Sequence, residues 1–175
     1  LVIIAGGFDL SIGSTMAAAG MLAAYLLEIG SGVGPAFSAA ILLGICIGAA
    51  NGTLIAYFRI NPLIATLAMM AIIRGLAFVI SNGHEIIITN KTWLSLGTGK
   101  WVGIPYIVLI LIVIYLVFAL IMPRTKFGRY VYAIGSNPRA ARLSGVSTKK
   151  WQLAIYITCG ATAALAGLIL AARTG

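Results

Sequence analysis

The sequence predicts an all-α protein, a polytopic bundle of transmembrane helices. Of its 175 residues, 61% are hydrophobic and only 9% are charged, whereas a soluble domain carries roughly 25% charged residues. So few charges cannot build a water-facing surface, and lipid must cover much of the outside. Four of five apolar runs have the roughly 20 residues that a helix needs to cross a bilayer, and the first is slightly shorter. The five runs are Ser11–Leu27, Pro35–Phe58, Pro62–Ile80, Ile104–Met122 and Trp151–Ala172.

Prolines and caps mark the limits of these runs. Asn61 and Pro62 supply an N-cap and a proline at the first helical position, where a missing N–H is harmless. Pro105 opens the fourth run in a similar way, and Pro123 closes it. Because backbone groups in lipid must bond to one another, we expect each run to be a helix.

Residue size separates the inner helices from the outer ones. Small residues recur along one face of the second and fifth runs: Gly44, Gly48, Gly52, Gly160, Ala163, Ala164 and Gly167. Such stripes let helix backbones approach closely in a membrane. The stretch Ile107–Leu120 is almost wholly large and aliphatic, and we expect it to face lipid.

Basic residues fix the orientation of the bundle. The connection Pro123–Lys150 contains seven of the twelve Lys and Arg residues and no acidic residue. The positive-inside rule makes this connection cytoplasmic and, counting back, places Ser81–Gly103 and Glu28–Gly34 outside. The net charge of +9 is therefore explained by topology, and we expect no nucleic-acid partner.

The opening segment breaks an apolar run with two glycines and an acid. Either Asp9 or Ser11 can cap the following helix, as in an ordinary cytoplasmic turn. Alternatively, the helix is broken or re-entrant, which would place Asp9 deeper, as in transporters that bind polar ligands at helix ends within the membrane. The sequence leaves both interpretations open.

Arg74 lies twelve residues beyond Pro62, about 18 Å along a helix. A charge at that depth is costly unless it snorkels to the outer face, pairs with Asp9 or Glu85, or lines a pathway. His84 is the only histidine, so no histidine-based metal site is expected. No hydrolase, metalloprotease or nucleotide-binding motif occurs, and we expect no catalytic residues, no metal and no cofactor bound by this chain.

Several motifs together resemble the permease subunits of bacterial ATP-binding-cassette (ABC) importers for ribose, xylose, galactose and autoinducer, within the branched-chain amino acid/sugar permease superfamily. The motifs follow the family's order nearly end to end, with mild departures at Phe8 and Ile12. They are Gly6–Ser14, Asn51–Gly52, Asn61–Leu67, Arg74–Ala77, Phe127–Asn137, Ala140–Gly145 and Ala164–Gly167.

The resemblance implies a permease that translocates a monosaccharide or similar small polar solute across the bacterial cytoplasmic (inner) membrane. It also implies an ABC ATPase subunit that uses ATP, an extracytoplasmic substrate-binding protein, a second permease copy and surrounding membrane lipid. Family members are nearly twice as long, so we expect residues 1–175 to form a single transmembrane domain that is incomplete at both ends.

The residues and the resemblance together suggest two sets of functional residues. We place Asp9, Ser11, Asn51, Thr66 and Arg74 on the substrate path. Within the cytoplasmic segment 123–150, a short helix capped by Asn137 and ended by Gly145 resembles the element that docks on the ATPase; the alternative is an interfacial helix on anionic lipid. Leu143 and the Ala140–Ala141 face would make the contact, with Arg139 and Arg142 at its rim.

Two other functions remain open at this point. An ion-coupled secondary transporter would require a buried acid, and only Asp9 could serve. A membrane-embedded enzyme would require clustered nucleophiles or metal ligands, which the sequence does not contain.

Overall fold

The computed structural model describes all of residues 1–175, as eight α-helices and one short hairpin. The helices are α1 (Ile12–Glu28), α2 (Val33–Ala56), α3 (Pro62–Ser81), α4 (Lys91–Thr98), α5 (Tyr106–Arg124), α6 (Lys126–Ser136), α7 (Pro138–Leu143) and α8 (Thr148–Thr174). Strands β1 (Lys100–Trp101) and β2 (Ile104–Pro105) pair antiparallel between α4 and α5. Helices α2, α3, α5 and α8 are long and apolar enough to cross a membrane, and α1 is a shorter apolar helix, so the predicted helical membrane bundle is confirmed.

Two predicted caps are present. The Asn61 side chain accepts a hydrogen bond from the Leu63 N–H at 2.9 Å, and a proline takes the first position of α3. Asn137 caps α7 more completely, because its Oδ1 accepts from the N–H groups of Arg139 and Ala140, both at 3.0 Å. Local sequence therefore determines where both helices begin.

Helix α8 is the centre of the bundle, and its contact with α2 is the most extensive between any two helices. A methyl group added at Gly44 would meet the Gly160 carbonyl oxygen, and one at Gly48 would meet the Tyr156 carbonyl oxygen. Gly167 lies in the same way against the backbone of α1. The predicted small-residue stripes are thus the surfaces where backbones touch.

The other helices surround this centre. Helix α3 packs mainly on α1, whereas α5 buries only Met122 and directs its aliphatic side chains outward. Helix α4 covers one end of the bundle, where Trp93 is fully buried among alanines of α1, α2 and α8.

The structure differs from the sequence-based expectation in the connections. Pro123 lies inside the last turn of α5, which ends at Arg124, and does not close the helix. The segment 123–150 is not a loop with one short helix, because α6 and α7 occupy most of it. The Ser81–Gly103 connection likewise contains α4 and β1.

Candidate functional site

The chain enters α1 through a non-helical segment that contacts α8. Residues 1–7 form turns, and Gly6 has a φ of +77°, a conformation that favours glycine. The Phe8 carbonyl oxygen accepts a hydrogen bond of 3.0 Å from the Tyr156 hydroxyl. Tyr156 stands eight residues after Thr148, about 12 Å along α8. The segment before α1 therefore lies level with the third turn of α8.

Three of the predicted path residues form one hydrogen-bonded network at this point. The Ser11 hydroxyl donates to Asp9 Oδ1 at 2.6 Å, and the Ser11 N–H donates to the same oxygen at 3.0 Å. Asn51 of α2 donates through Nδ2 to the Ser11 hydroxyl at 2.8 Å. Ser11 holds the N-cap position without capping through its side chain, and Asp9 satisfies only the N–H of Ser11 itself at this helix end. We call Asp9, Ser11 and Asn51 the polar network.

The polar network has one unsatisfied atom. Asn51 is 0% exposed and Ser11 is 1% exposed, yet Asn51 Oδ1 has no hydrogen-bond partner. A buried acceptor without a donor costs about 1–3 kcal/mol. Such a group is uncommon in a folded protein and is often associated with function.

The other two predicted path residues lie apart from the polar network. Thr66 is fully buried, and its hydroxyl donates to the Pro62 carbonyl of its own helix at 2.8 Å. Arg74 is exposed and lies on the wall of a cavity together with Glu85. Since Asp9 accepts its hydrogen bonds from Ser11, the pairing of Arg74 with Asp9 considered above is not what the structure shows.

The cavity lies between α1 and α3 and has a volume of about 660 Å³. It begins at Leu10, next to the polar network, and follows α1 from Gly13 to Met21, a length of about 12 Å. Its walls combine charged, hydroxyl and apolar groups: Leu10, Gly13, Ser14, Ala17, Met21, Met70, Arg74, Ala77, Phe78, Ser81, Gly83, His84 and Glu85.

Sequence reasoning found Arg74 and named Glu85 as a partner for it, but missed Ser14 and Ser81. Met70, Arg74, Ala77 and Ser81 are spaced by three or four residues, so they share one face of α3. That spacing was available in the sequence. Ser14, on the facing helix α1, carried no comparable signal.

Helix α7 presents a different face from the one expected. Leu143 is 86% exposed, and Arg139, Ala140 and Arg142 are also exposed. Ala141 is only 6% exposed, so it packs inward and cannot make the contact assigned to it. The outward surface of α7 therefore consists of Leu143, Ala140 and the two arginines.

Helix α6 connects α7 to the rest of the molecule. Its Tyr130 and Phe127 rings lie 4.9 and 6.0 Å from the Trp151 ring of α8, measured between centroids. A methyl group added at Gly135 would meet the Ile4 carbonyl oxygen of the turns before α1. Helix α6 thus touches both α8 and the segment that leads to the polar network.

These features define a multi-pass helical membrane protein with polar groups held inside its bundle. The chain belongs to the family described as branched-chain amino acid transport system / permease component, whose model matches residues 1–175. The resemblance of the motifs to that superfamily is confirmed.

Curated relatives carry names of sugar permeases. The L-arabinose ABC transporter permease protein AraH of Azospirillum brasilense is 38% identical over 98% of this chain and 51% of its own length. The L-arabinose transport system permease protein AraH of Escherichia coli (strain K12) is 39% identical over 96% of this chain and 51% of its own length. The ribose import permease protein RbsC of Bacillus subtilis (strain 168) is 39% identical over 98% of this chain and 54% of its own length. The chain spans about half the length of these relatives, and no solved structure matches it.

Proposed function

We propose that this chain is part of the membrane-spanning permease of an ABC importer that carries a monosaccharide or similar polar solute across the bacterial inner membrane. The observation that carries the proposal is the cavity between α1 and α3, which gathers charged and hydroxyl groups along a helix of an otherwise apolar bundle. The relatives named as arabinose and ribose permeases support the choice of solute.

The chemistry of the cavity suits an uncharged polyol. Arg74 offers hydrogen-bond donors and Glu85 offers acceptors, so opposite charges face one space. Ser14 and Ser81 can donate and accept, and Phe78 supplies an apolar surface for the carbon face of a sugar. The volume of about 660 Å³ lies within the range of small-molecule sites.

The polar network continues this route toward the cytoplasm. Leu10 lines the cavity and lies between Asp9 and Ser11 in the chain, so the two polar regions adjoin. A sugar that leaves the cavity would meet Asp9, which is partly exposed. The fully buried Asn51 holds the geometry of this exit through Ser11 and does not itself contact solute.

The energy for transport would come from a partner subunit, since the chain has no nucleotide-binding motif. An ABC ATPase would dock on α7, through exposed Leu143 with Arg139 and Arg142 around it. A second permease copy would complete the path, and an extracytoplasmic binding protein would deliver the solute. The ion-coupled alternative rests on Asp9 alone, and the family described for this chain favours the ABC importer.

The test is uptake of labelled arabinose and ribose by the complete permease, reconstituted in vesicles with its ATPase and binding protein. Arg74→Ala should reduce ATP-dependent uptake about tenfold or more, because a charged hydrogen bond to the solute is lost. Lys91→Ala removes an exposed charge outside the cavity and should leave uptake unchanged.

Two results would contradict the proposal. If Arg74→Ala took up sugar at the wild-type rate at equal abundance in the membrane, the cavity would not lie on the substrate path. Uptake driven by a sodium or proton gradient in the absence of ATP would identify an ion-coupled carrier.

A further inference from the structure

One corner of the molecule, at the cytoplasmic end predicted from the basic residues, combines aromatic rings with unopposed positive charge. The corner forms where α5 ends, α6 begins and α8 begins, because Trp151 packs on Tyr130 and Phe127 at 4.9 and 6.0 Å. This aromatic contact joins the first turns of α6 and α8. It therefore brings the basic residues of the two helices to the same place.

Five basic residues lie within three sequence positions of these aromatic residues, and all five are exposed: Arg124, Lys126, Arg129, Lys149 and Lys150. We call this set the basic corner. No acidic residue occurs between Pro123 and Gly175, so no neighbour in the sequence neutralises it. Lys149 is partly compensated, since its ammonium lies 5.6 Å from the centre of the Tyr57 ring. Lys126 and Lys150 have no such aromatic partner.

The basic corner also lies at the N-termini of two helices, where the helix dipoles disfavour positive charge. Helices α6 and α8 both begin here, and neither has an acidic residue in its first turn. A helix N-terminus favours negative charge by about 0.3–1 kcal/mol, so lysines at that end are placed unfavourably. An anion seated at the corner would interact favourably with both N-termini and with the cations beside it.

The surface around the corner indicates what kind of anion would occupy it. Helix α5 ends at Arg124 and faces outward along its length, with Met122 its only buried residue. The basic corner therefore continues the surface that α5 presents to lipid acyl chains. Trp and Tyr rings are typical of the level at which headgroups lie. A phosphodiester attached to an acyl chain fits both neighbours.

We propose that the basic corner binds the headgroup of an anionic phospholipid of the cytoplasmic leaflet, with the acyl chains lying along α5. Lys126 and Lys150 would contact the phosphate, and Trp151 and Tyr130 would lie beside the glycerol region. This site is separate from α7, whose Arg139 and Arg142 belong to a different helix.

The test is native mass spectrometry of the complete permease, equilibrated in detergent with equal amounts of phosphatidylglycerol and phosphatidylcholine. Each basic residue near a membrane surface contributes about 1 kcal/mol, so the wild-type protein should prefer phosphatidylglycerol by about fivefold or more. The variant K126Q/K150Q should lose most of that preference. The control R139Q/R142Q removes the same charge from α7 and should retain it, as should the charge-conserving K126R/K150R.

Melting temperatures of the variants establish that the folds are comparable. If K126Q/K150Q and R139Q/R142Q lost the phosphatidylglycerol preference equally, the preference would depend only on net charge, and the proposed site would be wrong. Retention of the preference by K126Q/K150Q would also overturn it. If K126Q/K150Q kept its lipid preference but no longer co-purified with the ATPase, the corner would be a protein-docking surface and the proposal would be wrong.

Discussion

The α2–α8 pair and helix α5 are all long and apolar enough to cross a membrane, yet they present opposite surfaces. Helices α2 and α8 meet through glycines such as Gly44 and Gly160, whereas α5 directs aliphatic side chains outward and buries only Met122. Lipid is as apolar as leucine, so hydrophobicity does not decide which helices associate. Residue size decides it, because only small residues let backbone atoms come into contact.

The largest expected effect is at the α2–α8 contact. In Gly48→Ala the added methyl group would meet backbone atoms of Tyr156 and Ile157, which cannot rotate away. We expect the free energy of unfolding to fall by about 1–3 kcal/mol. Gly75→Ala is the matched control on α3, where an added methyl meets nothing within 4 Å, and it should gain up to about 1 kcal/mol from helix propensity. Denaturant unfolding in detergent measures both, and equal effects would contradict the role assigned to the contact.

The second prediction concerns the polar network, which lies against the same two helices. Asp9→Ala removes the acceptor that holds Ser11 and should lower uptake about tenfold at normal membrane abundance. Asp9→Asn keeps an oxygen acceptor and should retain part of the activity. Glu28→Ala removes an exposed acid at the other end of α1 and should have no effect. Wild-type uptake by Asp9→Ala would exclude the network from the path.

A third prediction compares exposed leucines on α7 and α5. Leu143 of α7 is 86% exposed beyond the predicted spans, so we expect Leu143→Ala to weaken ATPase binding about fivefold without destabilising the permease. Ala141→Trp should instead destabilise α7 itself, because Ala141 is buried. Pull-down of the ATPase and the melting temperature separate the two outcomes. Unchanged ATPase binding by Leu143→Ala would show that α7 is not the docking element.

The smallest effect is expected on α5. Leu116 is exposed on the face assigned to lipid, and Leu116→Ala should change the free energy of unfolding by no more than about 0.5 kcal/mol. It is also the control for Leu143→Ala, since ATPase binding should not change. A loss of several kcal/mol would mean that α5 packs against protein.

Local patterns in the sequence were sufficient for the membrane helices and for the caps at Asn61 and Asn137. They were not sufficient for α6, which was not predicted within the segment 123–150. Gly128 and Gly135 are required there by contact with the backbones of Met122 and Ile4, and neither contact is a property of the segment alone.

The residues of the candidate site also divide into those that local sequence identified and those that only the fold reveals. Asp9 and Ser11 were identified because an acid beside a helix start is unusual in an apolar run, and they are two residues apart. Tyr156 was missed because it reaches Phe8 across 148 residues of sequence. Asn51 was identified only through the family resemblance, since its bond to Ser11 spans 40 residues. Nothing short of the tertiary fold brings these residues together.

The contact between α2 and α8 also has a mechanical consequence. Where main-chain atoms touch, as at Gly44 and Gly160, no flexible side-chain layer remains for one helix to slide over the other, so the pair moves as a single stiff unit. Helix α3 is attached mainly through α1, makes a smaller contact with α2, and is joined to α2 by the turn at Arg59, a residue with a φ of 59°. We therefore expect any widening of the cavity to come from a movement of α3 about that turn and not from the stiff pair.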